Sequence, residues 1–302
     1  MDFIYSSKKR NIYFIFSGIL FLIGLFSIIF IKMNLGLDFS GGTLAEIEFT
    51  KTVNKETVEN TISNLDFIKQ KVVQKTGNNS YLIRINQLES NQIDNFKSTL
   101  KDKIGDYTLN RLEIVGPTIS KDITNKAFLA IILAIIGIIL YVAYAFRSVP
   151  KPANSWRFGV CAILSLVHDV IITMGIYIIL GKFFGFEIDS LFVVGMLTIL
   201  GFSVHDTIVV FDRIRENLKI HHSNMNFAQI VNSSVAQTFA RSLSTSLTLI
   251  LVLLALLFLG GESIRSFVVL LLIGVSFGTY SSIFVASPLL IAWQNRIDKK
   301  QK

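Results

Sequence analysis

The sequence is poor in cysteine, proline and charge. Its 302 residues include one cysteine and four prolines, and charged residues make up 17%, against about 25% in typical soluble domains. The single cysteine, Cys161, cannot form a disulfide within the chain. The sequence also contains no GxxxxGK(S/T) phosphate loop, dinucleotide fingerprint, HExxH motif or cysteine-rich metal motif. We therefore predict a protein that is not an enzyme, does not hydrolyse ATP, and needs no cofactor and no metal.

Long apolar runs are what the sequence has in abundance. Hydrophobic residues make up 51% of the chain, and the mean hydropathy is +0.56. A helix needs about 20 apolar residues to cross roughly 30 Å of hydrocarbon. We predict six transmembrane helices, over residues 12–31, 127–146, 158–181, 190–211, 242–261 and 266–290. The first run is longer than the apolar core of a signal peptide, about 7 to 15 residues, and is interpreted as a retained anchor.

Lysine and arginine are unevenly distributed between the segments that connect these runs. Fourteen lie on the side of the N-terminus, whereas the short loops opposite hold only Lys182 and Arg265. Positively charged segments stay in the cytoplasm, so residues 1–11, 213–241 and 291–302 are predicted to be cytoplasmic. This bias accounts for the net charge of +8 without a nucleic-acid partner.

Residues 32–126 form the one long polar segment and are predicted to be periplasmic. Strand-like alternation is found at residues 44–50, 71–75, 81–86 and 112–114. Gly77-Asn78-Asn79 provides a hairpin turn between the second and third of these.

Two helices are predicted within the same segment. One follows a possible N-cap at Asn54 and presents Val58, Ile62 and Leu65 at helical spacing; the other presents Ile93, Phe96, Leu100 and Ile104. The order βαββαβ predicts a ferredoxin-like α+β domain with two helices on one face of a four-stranded sheet. Because the segment contains no histidine or cysteine, we expect a binding or mechanical role for it.

Two of the apolar runs contain a His-Asp pair. His168-Asp169 lies in the third run, and His205-Asp206 lies in the fourth. A carboxylate in hydrocarbon costs several kcal/mol and is by default a candidate for ion or proton handling. Asp206 lies about 9 Å inside the predicted end of its helix, where a buried carboxylate needs a partner. For His168 and Asp169, a plain inter-helix hydrogen bond and participation in a proton relay both stay open.

The predicted partner of Asp206 is Arg241, at the start of the fifth run. Ser244, Thr245 and Thr248 follow on the same helix face, so a hydroxyl stripe continues from Arg241 into the membrane. An Asp206 that alternates between pairing with Arg241 and binding a proton is a two-state element that a proton gradient can bias. The same residues also allow a static ion pair, or an arginine that snorkels to the interface.

Two further patterns bear on packing. Small residues repeat every four positions along the last run and predict close helix contact: Gly274, Gly278, Ser282 and Ala286. Pro288 is expected to kink or end that helix. An amphipathic stretch between residues 224 and 238 is expected to lie at the membrane interface; its apolar residues are Phe227, Ile230, Val231 and Val235.

Five motifs follow one another along nearly the whole chain. They are GLDFSGGT (36–43), HDVIIT (168–173), FSVHDTIVVFDRIREN (202–217), ARSLSTSLT (240–248) and FGTYSSIFVASPL (277–289). In this order they resemble the SecF family, the smaller membrane subunits of the bacterial SecD-SecF protein-export factor.

The resemblance implies half of a resistance-nodulation-division transporter, completed by six helices from SecD, in the bacterial inner membrane. It implies use of the proton-motive force to assist late steps of preprotein translocation through SecYEG, after SecA has acted. Its implied partners are therefore SecD, SecYEG, SecA, a YajC-type subunit, the preprotein, protons and membrane lipid.

The family's functional acid and arginine match Asp206 and Arg241. The family often has Asn where this chain has His205, an imidazole that can itself take up a proton. The resemblance also makes GLDFSGGT a junction that transmits movement between membrane and outer domain, with Gly36, Asp38, Gly41 and Gly42 at the turn. Two alternatives stay open: a proton-coupled exporter of small molecules or lipids, and a scaffold subunit that transports nothing.

Overall fold

The computed structural model describes residues 7–75, 77–150, 154–221 and 224–300. Residues 1–6 and 301–302, at the ends of the predicted cytoplasmic termini, lie outside the described residues. The described elements are α1 (Ser7–Phe30), α2 (Leu37–Ser40), β1 (Gly42–Phe49), α3 (Lys55–Ser63), β2 (Lys71–Lys75), β3 (Ser80–Ile85), α4 (Ser90–Lys103), β4 (Tyr107–Val115), α5 (Pro117–Ala145), α6 (Ser155–Phe184), α7 (Ser190–His221), α8 (Phe227–Leu259), α9 (Glu262–Ser281), a π turn (Ser282–Ala286) and α10 (Ser287–Lys300).

The chain divides into two compact units. An α+β unit comprises residues 35–129 with 188–190, and a helical unit comprises the described residues of 1–34, 130–187 and 191–302.

The α+β unit has the predicted ferredoxin-like topology. Its sheet order is β2-β3-β1-β4, and every neighbouring pair is antiparallel. Alternate side chains of β1 point into the core, so Ala45, Ile47 and Phe49 are buried while Glu48 is exposed. Val58 and Ile62 of α3, and Phe96 and Leu100 of α4, cover the same core. Each such side chain stabilises the fold by about 1.5 to 3 kcal/mol.

Two details of this unit differ from the prediction. Strand β4 has nine residues instead of the three predicted. The polar Asn110 and Arg111 interrupt its apolar alternation. A register shift opposite Glu46/Ile47 also changes which side chains of β4 face the core. Helix α3 begins directly after Asn54, yet the Asn54 side chain makes no capping hydrogen bond. Both differences occur at an edge strand or a helix end, where the structure depends on local geometry that the spacing of apolar residues does not predict.

The structure has the predicted six apolar helices. Among the described residues, six helical stretches are long and apolar enough to cross a membrane. They are Arg10–Phe30, Pro117–Ala145, Ser155–Phe184, Ser190–Ile220, Phe227–Leu259 and Glu262–Lys299. Most extend well beyond the predicted runs because polar turns continue the helix past its apolar part.

The segment predicted as a cytoplasmic loop, 213–241, is mostly helical. Helix α7 continues to His221 and α8 begins at Phe227, after a capping box between Asn226 and Gln229. The interpretation of an interfacial amphipathic stretch is wrong for its apolar residues. Phe227, Ile230, Val231 and Val235 are buried in one core with Val210, Phe211, Ile214 and Leu218 of α7. Their apolar face packs on protein instead of lipid.

Pro288 does not end the helical stretch. The π turn Ser282–Ala286 precedes it and α10 follows without a break. Directly after this turn, Ser287 donates its hydroxyl to the carbonyl of Ser282 at 2.9 Å. Proline lacks the backbone N–H that a regular helix needs, and a π turn is a common way to absorb such an interruption.

Candidate functional site

The two intramembrane carboxylates lie in the helical unit, on neighbouring helices. Asp169 belongs to α6 and Asp206 to α7. Both are buried, Asp169 completely and Asp206 with 6% exposed. Their surroundings differ, so each is described separately.

Asp169 is held by three side chains from three helices. Its Oδ1 lies 2.9 Å from Nδ1 of His168 on α6. Its Oδ2 accepts hydrogen bonds from Ser203 of α7 at 2.5 Å and from Ser281 of α9 at 2.6 Å. Oδ1 thus has one hydrogen-bonding partner and Oδ2 has two, which is enough to satisfy a buried carboxylate. Asp169 therefore links α6, α7 and α9, and its partners lie within this chain.

Small residues allow α9 to come close enough for this link. A Cβ on Gly278 would lie 3.2 Å from Cβ of Ser203, so the two helices nearly touch at the level of the carboxylate. One turn earlier, a Cβ on Gly274 would overlap the side chain of Ile199. The predicted small-residue face of α9 thus packs against α7 and brings Ser281 to Asp169.

His168 keeps one ring nitrogen free of hydrogen bonds. The residue is 7% exposed, and its ring stacks on Phe21 of α1 with centroids 6.4 Å apart. Its Nε2 is buried and has no hydrogen-bond partner within the described part of the chain, and the same holds for the hydroxyl of Thr173 one turn beyond Asp169. Two polar groups beside Asp169 are therefore still able to form a hydrogen bond.

Asp206 is surrounded by fewer donors. The hydroxyls of Ser242 on α8 and of Ser282 in the π turn lie beside its carboxylate. Even so, Oδ2 of Asp206 and Oγ of Ser242 are both buried without a hydrogen-bond partner among the residues described. Ser282 is already shared with Thr207 at 3.0 Å and with the carbonyl of Gly278 at 2.9 Å. A buried oxygen without a partner is costly, so the described residues satisfy this carboxylate incompletely.

Arg241 does not pair with Asp206 in this chain. It is exposed, and none of the ion pairs found between described residues joins it to Asp206. Ser244, Thr245 and Thr248 are exposed beside it. Two of these hydroxyls donate to their own helix, Thr245 to the Arg241 carbonyl at 3.0 Å and Thr248 to the Ser244 carbonyl at 2.8 Å. His205 is exposed as well.

The buried hydroxyl row of α8 lies on the neighbouring face and was missed from the sequence. Ser242 and Ser246 are each 2% exposed, and Ser246 shares a hydrogen bond with Thr279 of α9. Their spacing of four residues could have predicted a common helix face. Ser244, Thr245 and Thr248 have a similar helical spacing on the adjacent face, so the spacing alone did not distinguish the two faces. Ser203 and Ser281 were also missed.

The face that carries Arg241 also carries exposed apolar residues. Leu243, Leu247, Leu251 and Val252 of α8 are each between 46% and 59% exposed. Apolar side chains of a membrane helix face lipid as readily as protein, whereas an arginine with hydroxyls beside it is typical of a face turned to a partner or to water. This chain therefore leaves its polar stripe available to a partner.

The GLDFSGGT turn lies in the α+β unit. Gly41 and Gly42 have φ values of 66° and 118°, which favour glycine, and a Cβ on Gly42 would lie 2.5 Å from the carbonyl oxygen of Ile85. Gly36 donates its N–H to the Ile188 carbonyl at 2.8 Å. Asp38 accepts a hydrogen bond from the N–H of Ser190 at 3.0 Å. The turn thus ties residues 188–190 into this unit.

Comparisons with known proteins agree with this architecture. Residues 95–296 match the family described as protein export membrane protein SecD/SecF, C-terminal, and residues 26–53 match the SecD/SecF GG motif. The chain is 42% identical to protein translocase subunit SecF of Thermobaculum terrenum, over 96% of this chain and 93% of the relative. It is 36% identical to the Haemophilus influenzae protein of the same name, over 92% and 82% respectively.

Solved structures show the same fold within a longer chain. The crystal structure of SecDF from Thermus thermophilus, a translocon-associated membrane protein, matches with a TM-score of 0.82 and 33% identity. That match covers 95% of this chain and 38% of the SecDF chain. A SecDF structure in a super-membrane-facing form matches with a TM-score of 0.65 and 32% identity. This chain therefore spans well under half of either SecDF chain.

Proposed function

The chain belongs to the SecD/SecF family of protein export membrane proteins, and we propose that it acts as the SecF subunit of a protein translocase. Support comes from relatives named protein translocase subunit SecF, which match over nearly their whole length as well as its own. The SecDF chains are longer, and this chain corresponds to 38% of them. A SecD subunit is the partner that would supply the remainder.

The observation that carries the mechanism is the incomplete pairing of Asp206. Its Oδ2 is buried without a hydrogen-bond partner among the described residues, whereas Asp169 is fully bonded. We assign proton binding to Asp206, because a carboxylate that lacks a fixed partner can exchange between states at low cost. Arg241 and its hydroxyl stripe would complete the site when SecD covers the exposed face of α8.

The remaining parts of the proposal follow from the sequence. The excess of Lys and Arg on one side supports cytoplasmic termini in an inner membrane. With that orientation, the proton-motive force would act on Asp206 to assist late steps of preprotein translocation through SecYEG, after SecA and with a YajC-type subunit. One charge moved through the membrane potential supplies about 2.3 kcal/mol per 100 mV. The proposal assigns the chain no bond-forming chemistry.

The test is the release of a secreted protein from spheroplasts that carry this chain and its SecD partner. Asp206→Asn should reduce protonophore-sensitive release to the level of a strain that lacks the chain, while SecD still co-purifies. Asp212→Asn is the matched control: Asp212 lies on the same helix, is exposed and pairs with Arg215, and release should stay normal. Full protonophore-sensitive release by Asp206→Asn would disprove the proton role. Failure of the wild-type pair to restore release would disprove the translocase function itself.

A further inference from the structure

A groove opens beside the first turns of α1 and the last turns of α10. Two adjoining cavities of about 580 Å³ and 480 Å³ share Phe14, Ala292 and Arg296 as lining residues. The first is lined mainly by apolar side chains, which include Phe14, Leu289, Trp293 and Ile297. The second is lined mainly by polar side chains. The groove is therefore amphipathic along its length.

The polar end of the groove carries an excess of positive charge. Arg10, Arg296 and Lys299 line it together with one acid, Asp298, so the formal excess is three minus one, or +2. Asp298 accepts a hydrogen bond from Gln294 at 2.9 Å. None of the three cations forms an ion pair within the described ranges. Nε of Arg10 is moreover buried there without a hydrogen-bond partner, so the rim has donors to spare for an anion.

The groove lies beside the ends of two predicted membrane spans, where a lipid headgroup would be found. Arg10 lies just before the predicted apolar run 12–31, and Trp293, Arg296 and Lys299 follow the predicted run 266–290, so the groove lies where apolar sequence gives way to polar sequence. Trp293 contacts Trp156 edge to face, with centroids 4.9 Å apart, and tryptophan is enriched at this interface. Phe14 lies one turn inward from Arg10, and Leu289 lies about 10 Å inward from Arg296. The apolar cavity thus extends from the cationic rim toward the hydrocarbon.

We propose that this groove binds one anionic phospholipid. Its phosphate would contact Arg10, Arg296 and Lys299, and one acyl chain would lie along Phe14, Leu289 and Trp293. Charge complementarity and the direction of the apolar cavity select this ligand, because it is anionic at one end and apolar at the other. A free phosphate would use the rim alone, and an acidic helix of a partner would not need the apolar cavity to point inward.

Trp293 itself provides the measurement. In a Trp156→Phe background it is the only tryptophan of the full chain, and bromine atoms on an acyl chain quench a tryptophan that they contact. The full chain is reconstituted in bilayers that contain a small fraction of brominated phosphatidylglycerol or brominated phosphatidylcholine. We expect half-maximal quenching at a several-fold lower fraction of the phosphatidylglycerol. Equal quenching by the two lipids would overturn the proposal.

Two variants separate the built site from general attraction to basic loops. Arg296→Gln with Lys299→Gln should lower the preference by about fivefold for each cation removed. Arg147→Gln with Lys219→Gln removes the same charge from exposed positions outside the groove and should leave the preference unchanged. An equal loss in both double variants would assign the effect to surface charge and overturn the proposal.

The apolar cavity is tested by filling it. Ala292→Phe changes no charge and should weaken quenching by the brominated phosphatidylglycerol. If inorganic phosphate competed fully with the lipid and Ala292→Phe behaved like the wild type, the site would bind an anion at its rim and no lipid. Native mass spectrometry of the chain with a SecD subunit gives a second readout. A complex that retains no phosphatidylglycerol, when the chain alone retains one, would assign the groove to the partner subunit.

Discussion

Asp169 and Asp206 occupy closely similar places in the sequence, each after a histidine inside an apolar helix, yet the structure surrounds them differently. Asp169 receives hydrogen bonds from Ser203 and Ser281 and contacts His168. Asp206 keeps a buried oxygen without a partner in the described part of the chain. Burial is nearly the same at both sites. The two carboxylates thus differ in the number of donors among the described residues more than in depth, and the proposal assigns a structural role to the first and an exchangeable one to the second.

The difference has an energetic meaning. Removing a well-bonded buried carboxylate leaves its donors unsatisfied, and each unsatisfied donor costs about 1 to 3 kcal/mol. Removing a poorly bonded carboxylate loses little and relieves some of the cost of burying it. Stability measurements on the chain can therefore separate the two sites without any transport assay.

The largest effect is expected for Asp169→Ala. His168, Ser203 and Ser281 would lose their shared acceptor at the meeting point of three helices. We expect the free energy of unfolding to fall by about 3 kcal/mol, measured by denaturant titration in detergent micelles. Asp206→Ala serves as the control and should cost less than half as much. Equal losses at the two sites would contradict the comparison.

A smaller effect is expected for the serines that hold Asp169. Ser281→Ala removes one inter-helix hydrogen bond, worth about 0.6 to 1.7 kcal/mol in membrane proteins. In an Asp169→Ala background the same substitution should cost almost nothing, because the acceptor is already gone. The double-mutant cycle measures this coupling. Ser276→Ala is the control, since its exposed hydroxyl donates only to the Leu272 carbonyl of its own helix. Additive losses for Asp169 and Ser281 would show that their hydrogen bond contributes nothing to stability.

Asp206→Asn is expected to change stability by less than about 1 kcal/mol. The amide has nearly the shape of the carboxylate, and Oδ2 has no hydrogen bond in the described residues to lose. The same substitution at Asp169 would present an amide donor to two serine hydroxyls and should cost more. Thermal unfolding of both variants in one detergent provides the measurement. A larger loss at Asp206 than at Asp169 would reverse the assignment of structural and exchangeable roles.

Much of the fold could be predicted because its signals are local. The length of the apolar runs predicts the six membrane helices. The change of apolar spacing between a strand period of two residues and a helical period predicts the order βαββαβ. Strand β4 was underestimated because Asn110 and Arg111 stand where an edge strand tolerates polar residues. The amphipathic stretch from Phe227 to Val235 was misassigned because an apolar helix face has the same spacing whether it packs on lipid or on α7.

The site was harder to predict because its contacts join distant parts of the chain. Asp206 and Asp169 were identified from the cost of burying a carboxylate, which one sequence position reveals. The serines that hold Asp169 could not be chosen, because the sequence contains many serines in apolar helices and helix rotation decides which of them face inward. The Asp206 to Arg241 pairing stays a prediction, since Arg241 lies on a face that this chain leaves uncovered.

The smallest effect on stability is expected for Arg241→Ala, on the exposed face of α8, although the proposal gives this residue a role in function. Arg241 is exposed and has no ion pair to Asp206 among the pairs described, so Arg241→Ala should stay within about 0.5 kcal/mol of the wild type in the isolated chain. In a complex where SecD covers the face, as proposed, the arginine would become buried and its loss should cost measurably more, because a buried charge partner would then be missing. Unfolding of the chain alone and of its complex with SecD supplies the two values, with Arg265→Ala, an exposed arginine that contacts Glu262, as the control in both. A large loss in the isolated chain would show that Arg241 already has a structural role without SecD, and the contrast between a self-sufficient Asp169 site and a partner-dependent Asp206 site would fail.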